Sequence, residues 1–206
     1  MSENNINKDT VYSVSSRILN QIASNLDSPA NKAILANLRN SISKSYSQSI
    51  EVFSLLYEHI PESFISSSNN LSFEEKAILT SLQIFAIHQQ GNGQSVLLDT
   101  DKDDSKYNNM GFSLKALRVD DNVKATDRRF NTMITADTFE EFTFHLRQLV
   151  NLLKSRTNQK VNYAKLAQDL YFFQIPTTRE NIKLPWAKQY YRYTKKDKKN
   201  KGESNE

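Results

Sequence analysis

The chain has 206 residues, no cysteine, four glycines, four prolines and a formal net charge of +4. A chain of this length buries about 70% of its unfolded surface and folds without staples. The missing thiols exclude a disulfide scaffold, a thiolate zinc site, an iron–sulfur cluster and a cysteine nucleophile. No apolar run is long enough to span a membrane. The polar stretch Met1–Thr10 is not a signal peptide, so the expected location is cytoplasmic.

The predicted elements are helical from end to end, because apolar residues recur at three and four positions, not at two. Val11, Val14, Ile18, Ile22 and Leu26 mark a first helix. Ser28–Pro29 reads as N-cap and first residue of a second, with Ile34, Leu35, Leu38 and Ile42 inward. Ile50, Phe53, Leu56, Tyr57 and Ile60 make a third, stopped near Pro61.

After a polar loop, Ser72 and Glu75 form a capping box that opens a broadly apolar helix through Ala77, Ile78, Leu82, Phe85 and Ile87. Residues 91–110, holding Gly91, Gly93 and the acids Asp99, Asp101, Asp103 and Asp104, read as a mobile loop. A short helix follows over Gly111–Val119. Asp121 is placed to cap a helix through Val123, Phe130, Met133 and Ile134.

Thr138 and Glu141 read as a second capping box before the cleanest stripe, Phe139, Phe142, Leu146, Leu149 and Leu153. Asn162 caps a helix with Tyr163, Leu166, Leu170 and Phe173. A last helix carries Ile182, Trp186, Tyr190 and Tyr193, and Pro185 is expected to kink or restart it. The expectation is an all-α fold of about nine helices in two small packed bundles. Residues 1–90 form an N-terminal bundle, 91–110 the loop, 111–193 a basic C-terminal bundle and 194–206 a disordered lysine-rich tail.

Charge divides along the same line. Residues 1–103 carry 7 Lys/Arg against 11 Asp/Glu, and residues 104–206 carry 20 against 12. Such asymmetry points to a polyanion partner for the second half, the plainer alternative being a solvated surface and tail.

No catalytic constellation is visible. His59, His88 and His145 stand apart without paired ligands. The Asp99-Thr-Asp101-Lys-Asp103 run has Asp104 and Met110 where a calcium loop needs glycine and glutamate. Gly91-Asn-Gly93 lacks the Lys-Ser/Thr of a phosphate loop. Glu74, Glu75, Glu140 and Glu141 sit in first helical turns, where the helix dipole favours them. The expectation is a protein without enzyme activity, metal or cofactor.

What does stand out is a spread of basic residues: Lys115 and Arg118, Arg128 and Arg129, Arg147, Lys154 and Arg156, then Lys188 and Arg192. Guanidinium groups are the best phosphate clamps among side chains. The competing use is ion pairing with Asp120, Asp121, Asp127 and Asp137, although exposed pairs contribute only about 0–1 kcal/mol each. Tyr190, Tyr191 and Tyr193 are spaced either to stack bases or, more commonly, to fill core.

Several runs together resemble the CasB family. They are Ala125-Thr-Asp-Arg128-Arg129-Phe130-Asn131, Thr135-Ala136-Asp137, His145-Leu-Arg147-Gln-Leu149 through Ser155, Asn162–Tyr171, and Trp186 through Tyr190-Tyr191. Ala86–Gln90 and Gly111–Leu114 match more weakly, so the resemblance spans Phe73 to Arg192. CasB proteins are small subunits of the type I-E CRISPR surveillance complex, Cascade.

The resemblance implies a non-catalytic antiviral subunit that braces the guide RNA–target DNA duplex and holds the displaced strand. Sequence would be read by base pairing and the protein would supply positive surface. It implies as partners the backbone and large Cascade subunits, guide RNA, both DNA strands and a second copy of this chain. Arg128 and Arg129 fall on the family's arginine pair, Arg147 on the arginine of its Leu-Arg helix, and Lys115 and Arg118 in its basic short helix. Lys154, Arg156, Lys188 and Arg192 are added from local charge. Thr135 and Thr138 stand where relatives can be more basic. The alternatives are a stand-alone helical DNA-binding protein and a protein–protein adaptor.

Overall fold

The computed structural model describes residues 9–44, 49–100, 108–118 and 123–192. Among these the fold is all-α. The helices are α1 (Val11–Ala23), α2 (Pro29–Asn40), α3 (Ile50–Tyr57), α4 (Phe73–Gln89), α5 (Met110–Leu114), α6 (Val123–Thr135), α7 (Phe139–Arg156), α8 (Tyr163–Gln174) and α9 (Glu180–Tyr191). The only β contact among the described residues is an isolated parallel bridge, Leu97 to Val161.

The helices start where local chemistry supplies a cap. Ser28 accepts from Asn31 N–H ahead of Pro29, and Asn162 accepts from Lys165 N–H. Ser72 and Glu75 close both halves of their box, at 3.0 and 2.6 Å. Thr138 makes only its own half, accepting from Glu141 N–H at 3.2 Å. The Glu141 side chain borders a hollow along α6 instead. Asp121, Tyr193 and the lysine tail lie outside the described residues, as do Asp101, Asp103 and Asp104.

The helix α4 is the hub. It is buried around most of its circumference, from Glu75 to Gln89, because α2, α7, α8 and α1 all pack on it. One contiguous core runs from Val14 and Ile18 of α1 through Ile78 and Phe85 of α4 to Leu146 of α7 and Leu170 of α8. Each such fully buried apolar side chain contributes about 1.5–3 kcal/mol.

The stripe expected on α7 is buried without exception. On α3 the buried side is Val52, Leu55 and Leu56, while Ile50 and Tyr57 face outward. Apolar residues on nearly every side of α3 left its phase open to periodicity. Pro185 does not interrupt α9, which is continuous from Glu180 to Tyr191. Its ring is exposed on the outer side, so the lost backbone hydrogen bond faces water.

Polar bonds lock the helices at depth. Ser81 Oγ donates to the Tyr163 carbonyl at 2.7 Å, and His88 Nδ1 shares a hydrogen bond with the Tyr163 hydroxyl at 2.9 Å. Trp186 Nε1 donates to Asp169 at 2.7 Å, and Lys165 pairs with the same carboxylate. The described part of the stretch after α4 is tied down. Val161 N–H donates to the Val96 carbonyl and Leu98 N–H to the Val161 carbonyl.

Candidate nucleic-acid interface

Phe130 and Tyr190 stack with ring centroids 3.7 Å apart and planes 2° from parallel. Both are fully buried, so Tyr190 is core. This stack fixes the rotation of α6, and Arg128 and Arg129, just before Phe130, therefore stand exposed on its outer surface. The same contact lays the last turns of α9, with exposed Lys188 and Arg192, against α6.

Arg118 sits in this neighbourhood but is half-buried. It donates from Nε and Nη2 to the two oxygens of Asp127, at 2.8 and 3.2 Å, and its guanidinium lies 5.2 and 4.9 Å from the Tyr190 and Tyr191 ring centres. Tyr190 Oη also donates to Asp127, at 2.8 Å. Burial first, then Asp127, pushes the Tyr190 phenol well above its ordinary pKa. Lys115 is half-buried in the 3-10 turn Lys115–Leu117 that follows α5.

The second group lies on α7 along its seam with α4. These helices run parallel in constant register. Lys76 donates to Glu140 at 2.6 Å at one end and Lys154 to Gln90 at 3.1 Å at the other. Both pairs are 64 residues apart. Arg147 and Lys154 lie seven residues apart, two turns and about 10.5 Å along one side of α7. Arg156 is exposed in the last turn, where it favours the negative end of the helix dipole.

Sequence reasoning missed Arg39, which belongs to the acidic half. From α2 it reaches across to donate to the Ala86 carbonyl at 3.3 Å. No local signal marks it, since its partner is 47 residues away. Arg39, Arg147 and Lys154 have no carboxylate partner among the described residues. Burial lowers the pKa of all three, and the Arg39 charge lowers Lys154 further. Part-buried cations without counter-ions form a standing demand for an anion.

The structure thus brings seven of the nine predicted residues into two groups. Arg118, Arg128, Arg129, Lys188 and Arg192 gather around α6 and the end of α9. Arg147 and Lys154 line the α4–α7 seam with Arg39. Lys115 and Arg156 stand at the ends of their elements.

Among the described residues the three histidines stand apart, each with its own neighbour. His59 bonds to the Leu55 carbonyl and Gln21, His88 to Tyr163, and His145 stacks edge-on against Phe144. No group of three metal-ligating side chains converges there. No described helix is long and apolar enough to cross a membrane.

The sequence profile of the family described as CRISPR-associated protein Cse2 matches residues 34–191. In fold the chain is similar to CasB from Thermobifida fusca, with a TM-score of 0.69 and 21% identity over 88% of this chain and 98% of that one. A chain of a CRISPR RNA-guided surveillance complex aligns with a TM-score of 0.66 and 16% identity over 95% of this chain and all of that one. A CRISPR-associated protein of the Cse2 family from Thermus thermophilus aligns with a TM-score of 0.60 and 18% identity over 86% of this chain and 97% of that one. No curated protein matches the chain in sequence.

Proposed function

The chain belongs to the CRISPR-associated Cse2 family, and from that premise we propose that it is a non-catalytic small subunit of a Cascade-type surveillance complex. In that complex it braces the guide RNA–target DNA duplex and holds the displaced strand through phosphate contacts. Its partners are the other Cascade subunits, guide RNA, both DNA strands and a second copy of itself, in the cytoplasm. A chain of similar fold in an RNA-guided surveillance complex supports this assignment.

The observation that carries the phosphate role is the set of cations with no acid partner among the described residues: Arg39, Arg147 and Lys154 along the seam. Exposed Arg128 and Arg129 add to it on α6. Phosphate contacts position a strand without reading it, which suits a complex whose specificity lies in base pairing. The phosphate-type residues are spread over several helices, which disfavours a stand-alone regulator reading bases from one recognition helix.

The test is a mild pull-down of the tagged chain from its native cells, with bound proteins identified by mass spectrometry and bound RNA sequenced. Repeat-flanked guide RNA together with other Cascade subunits is expected. Recovery of the chain alone, or with unrelated proteins and no guide RNA, overturns the assignment.

A further inference from the structure

Helix α4 ends on Gln89, whose side chain is buried. Its Nε2 donates to the carbonyls of Asn92 and Gln94, both at 2.9 Å, and its Oε1 accepts from Val96 N–H at 3.0 Å. The turn after α4 is thus wound around one neutral amide. Gly91 carries it round the corner at φ +82°. Asn92 closes it by donating from Nδ2 to the His88 carbonyl at 2.7 Å.

This turn lies between two cations of the seam. On one side Gln89, Gln90 and Gly91 share a hollow of about 200 Å³ with Arg39 of α2. On the other, exposed Gln90 accepts from Lys154 of α7 at 3.1 Å. We infer that Gln89 is a positioning residue for the seam: by fixing the turn it places Gln90, which holds Lys154 beside Arg39 for a phosphate. The inference rests on the reading of the seam as a phosphate-binding surface.

Two features argue for this role. The first is where the bonds of Gln89 go. All three side-chain partners lie beyond α4, and none lies within it. The amide therefore organises the turn and not the helix. The far end of the turn is fixed separately, since Val161 N–H donates to the Val96 carbonyl at 2.9 Å.

The second is the neutrality of the partners. The Arg39 charge acts unfavourably on Lys154, so the two cations do not gather unaided. An acid between them would hold both and cancel the charge that a phosphate needs. The Gln90 oxygen orients the ammonium as a dipole and leaves its charge intact for a charge-assisted bond. A lysine already held in place also loses less side-chain freedom when the anion arrives.

The experiment measures binding of a fluorescent oligothymidylate to the full chain by anisotropy over a range of salt. Gln89→Leu keeps the bulk and removes the bonds. It is expected to weaken binding at least about threefold and to make the log–log salt slope shallower by about 0.7, the value for one phosphate of a single strand. In a Lys154→Gln background the same change is expected to alter neither quantity. In an Arg128→Ala background its full effect is expected to persist. Gly91→Val strains the turn without touching the buried amide, and it repeats the test should Gln89→Leu fail to fold. Gly91→Asn, which tolerates a positive φ, is expected to bind as the parent does.

Equal losses in the two backgrounds make Gln89 a residue of general stability and overturn the proposal. So does parent-like binding by Gln89→Leu, or a parent chain that does not bind the oligonucleotide. The guide-RNA pull-down is read separately. Guide RNA recovered alongside equal losses removes the role of Gln89 and leaves the family assignment standing.

Discussion

Arg118 holds Asp127 in a two-pronged grip, Nε to Oδ1 at 2.8 Å and Nη2 to Oδ2 at 3.2 Å, while Tyr190 Oη donates to the same Oδ1 at 2.8 Å. The three residues tie the turn after α5, helix α6 and helix α9 to one carboxylate. Asp127 precedes the exposed pair Arg128 and Arg129. Arg118 therefore orients the α6 cations through the fold.

The first prediction follows from that geometry. Arg118→Ala strips a part-buried carboxylate of its charged partner and is expected to cost about 2 kcal/mol of folding stability. Arg128→Ala and Arg129→Ala remove exposed side chains and are expected to change stability by less than about 0.5 kcal/mol. Urea unfolding of the three variants checks this. Equal stabilities would mean that the Asp127 grip contributes nothing.

The second prediction concerns Gly111. A Cβ built there lies 2.1 Å from the Trp186 carbonyl oxygen and 2.8 Å from its Cα. These are backbone atoms of α9, fixed by the buried indole and its bond to Asp169. Gly111→Ala must push α5 away from α9, at a cost of about 3 kcal/mol or more. Thermal unfolding is expected to show a much lower Tm, and an unchanged Tm would contradict the close approach.

A third prediction uses pH. Burial first, and the Lys154 charge second, hold the His88 imidazole down at about 4 against an ordinary 6.5. The folded state thus binds the proton less readily than the unfolded chain. The neutral imidazole's contribution is complete above about pH 6.5 and is lost as pH falls toward 4, at about 1.4 kcal/mol per pH unit in that window. His88→Gln, which never takes a proton, is expected to flatten this part of the stability profile. Denaturant curves at pH 7 and 4.5 for both proteins isolate the histidine from the carboxylates, which titrate in each.

Where one surface of a helix was plainly apolar, periodicity sufficed. Phe139, Phe142, Leu146, Leu149 and Leu153 all lie where their spacing put them. It failed on α3, where Val52, Phe53, Leu55, Leu56 and Tyr57 offer more than one consistent side and only the neighbouring helices choose. Arg118 and Arg147 looked alike as basic residues near a basic helix. What separates them is Asp127, nine residues from Arg118 and bonded to it, and the lack of a carboxylate partner for Arg147 among the described residues. Arg39 was illegible because its place in the seam depends on α2 crossing α4, a long-range contact that no local pattern announces.

The last prediction tests the seam as a polyanion site and not as a structural feature. Lys154 bonds only the neutral Gln90 among the described residues, and the Arg39 charge lowers its pKa. In turn its own charge helps hold His88 neutral. In the free chain Lys154 therefore meets the Arg39 charge with no acid to offset it among the described residues, and Lys154→Gln should leave stability within about 0.5 kcal/mol of the parent at pH 7. The same substitution should move the His88 pKa upward from about 4, because one of its two causes is gone. If a phosphate sits between Arg39 and Lys154 in the bound state, the variant binds single-stranded DNA more weakly. Its log affinity should also fall with log salt less steeply, by about 0.7 for the one lost contact. Salt titrations of oligonucleotide binding measure that slope directly. A marked loss of stability with an unchanged slope would make Lys154 a prop between α7 and α4. Unchanged stability with a shallower slope is what a phosphate contact requires.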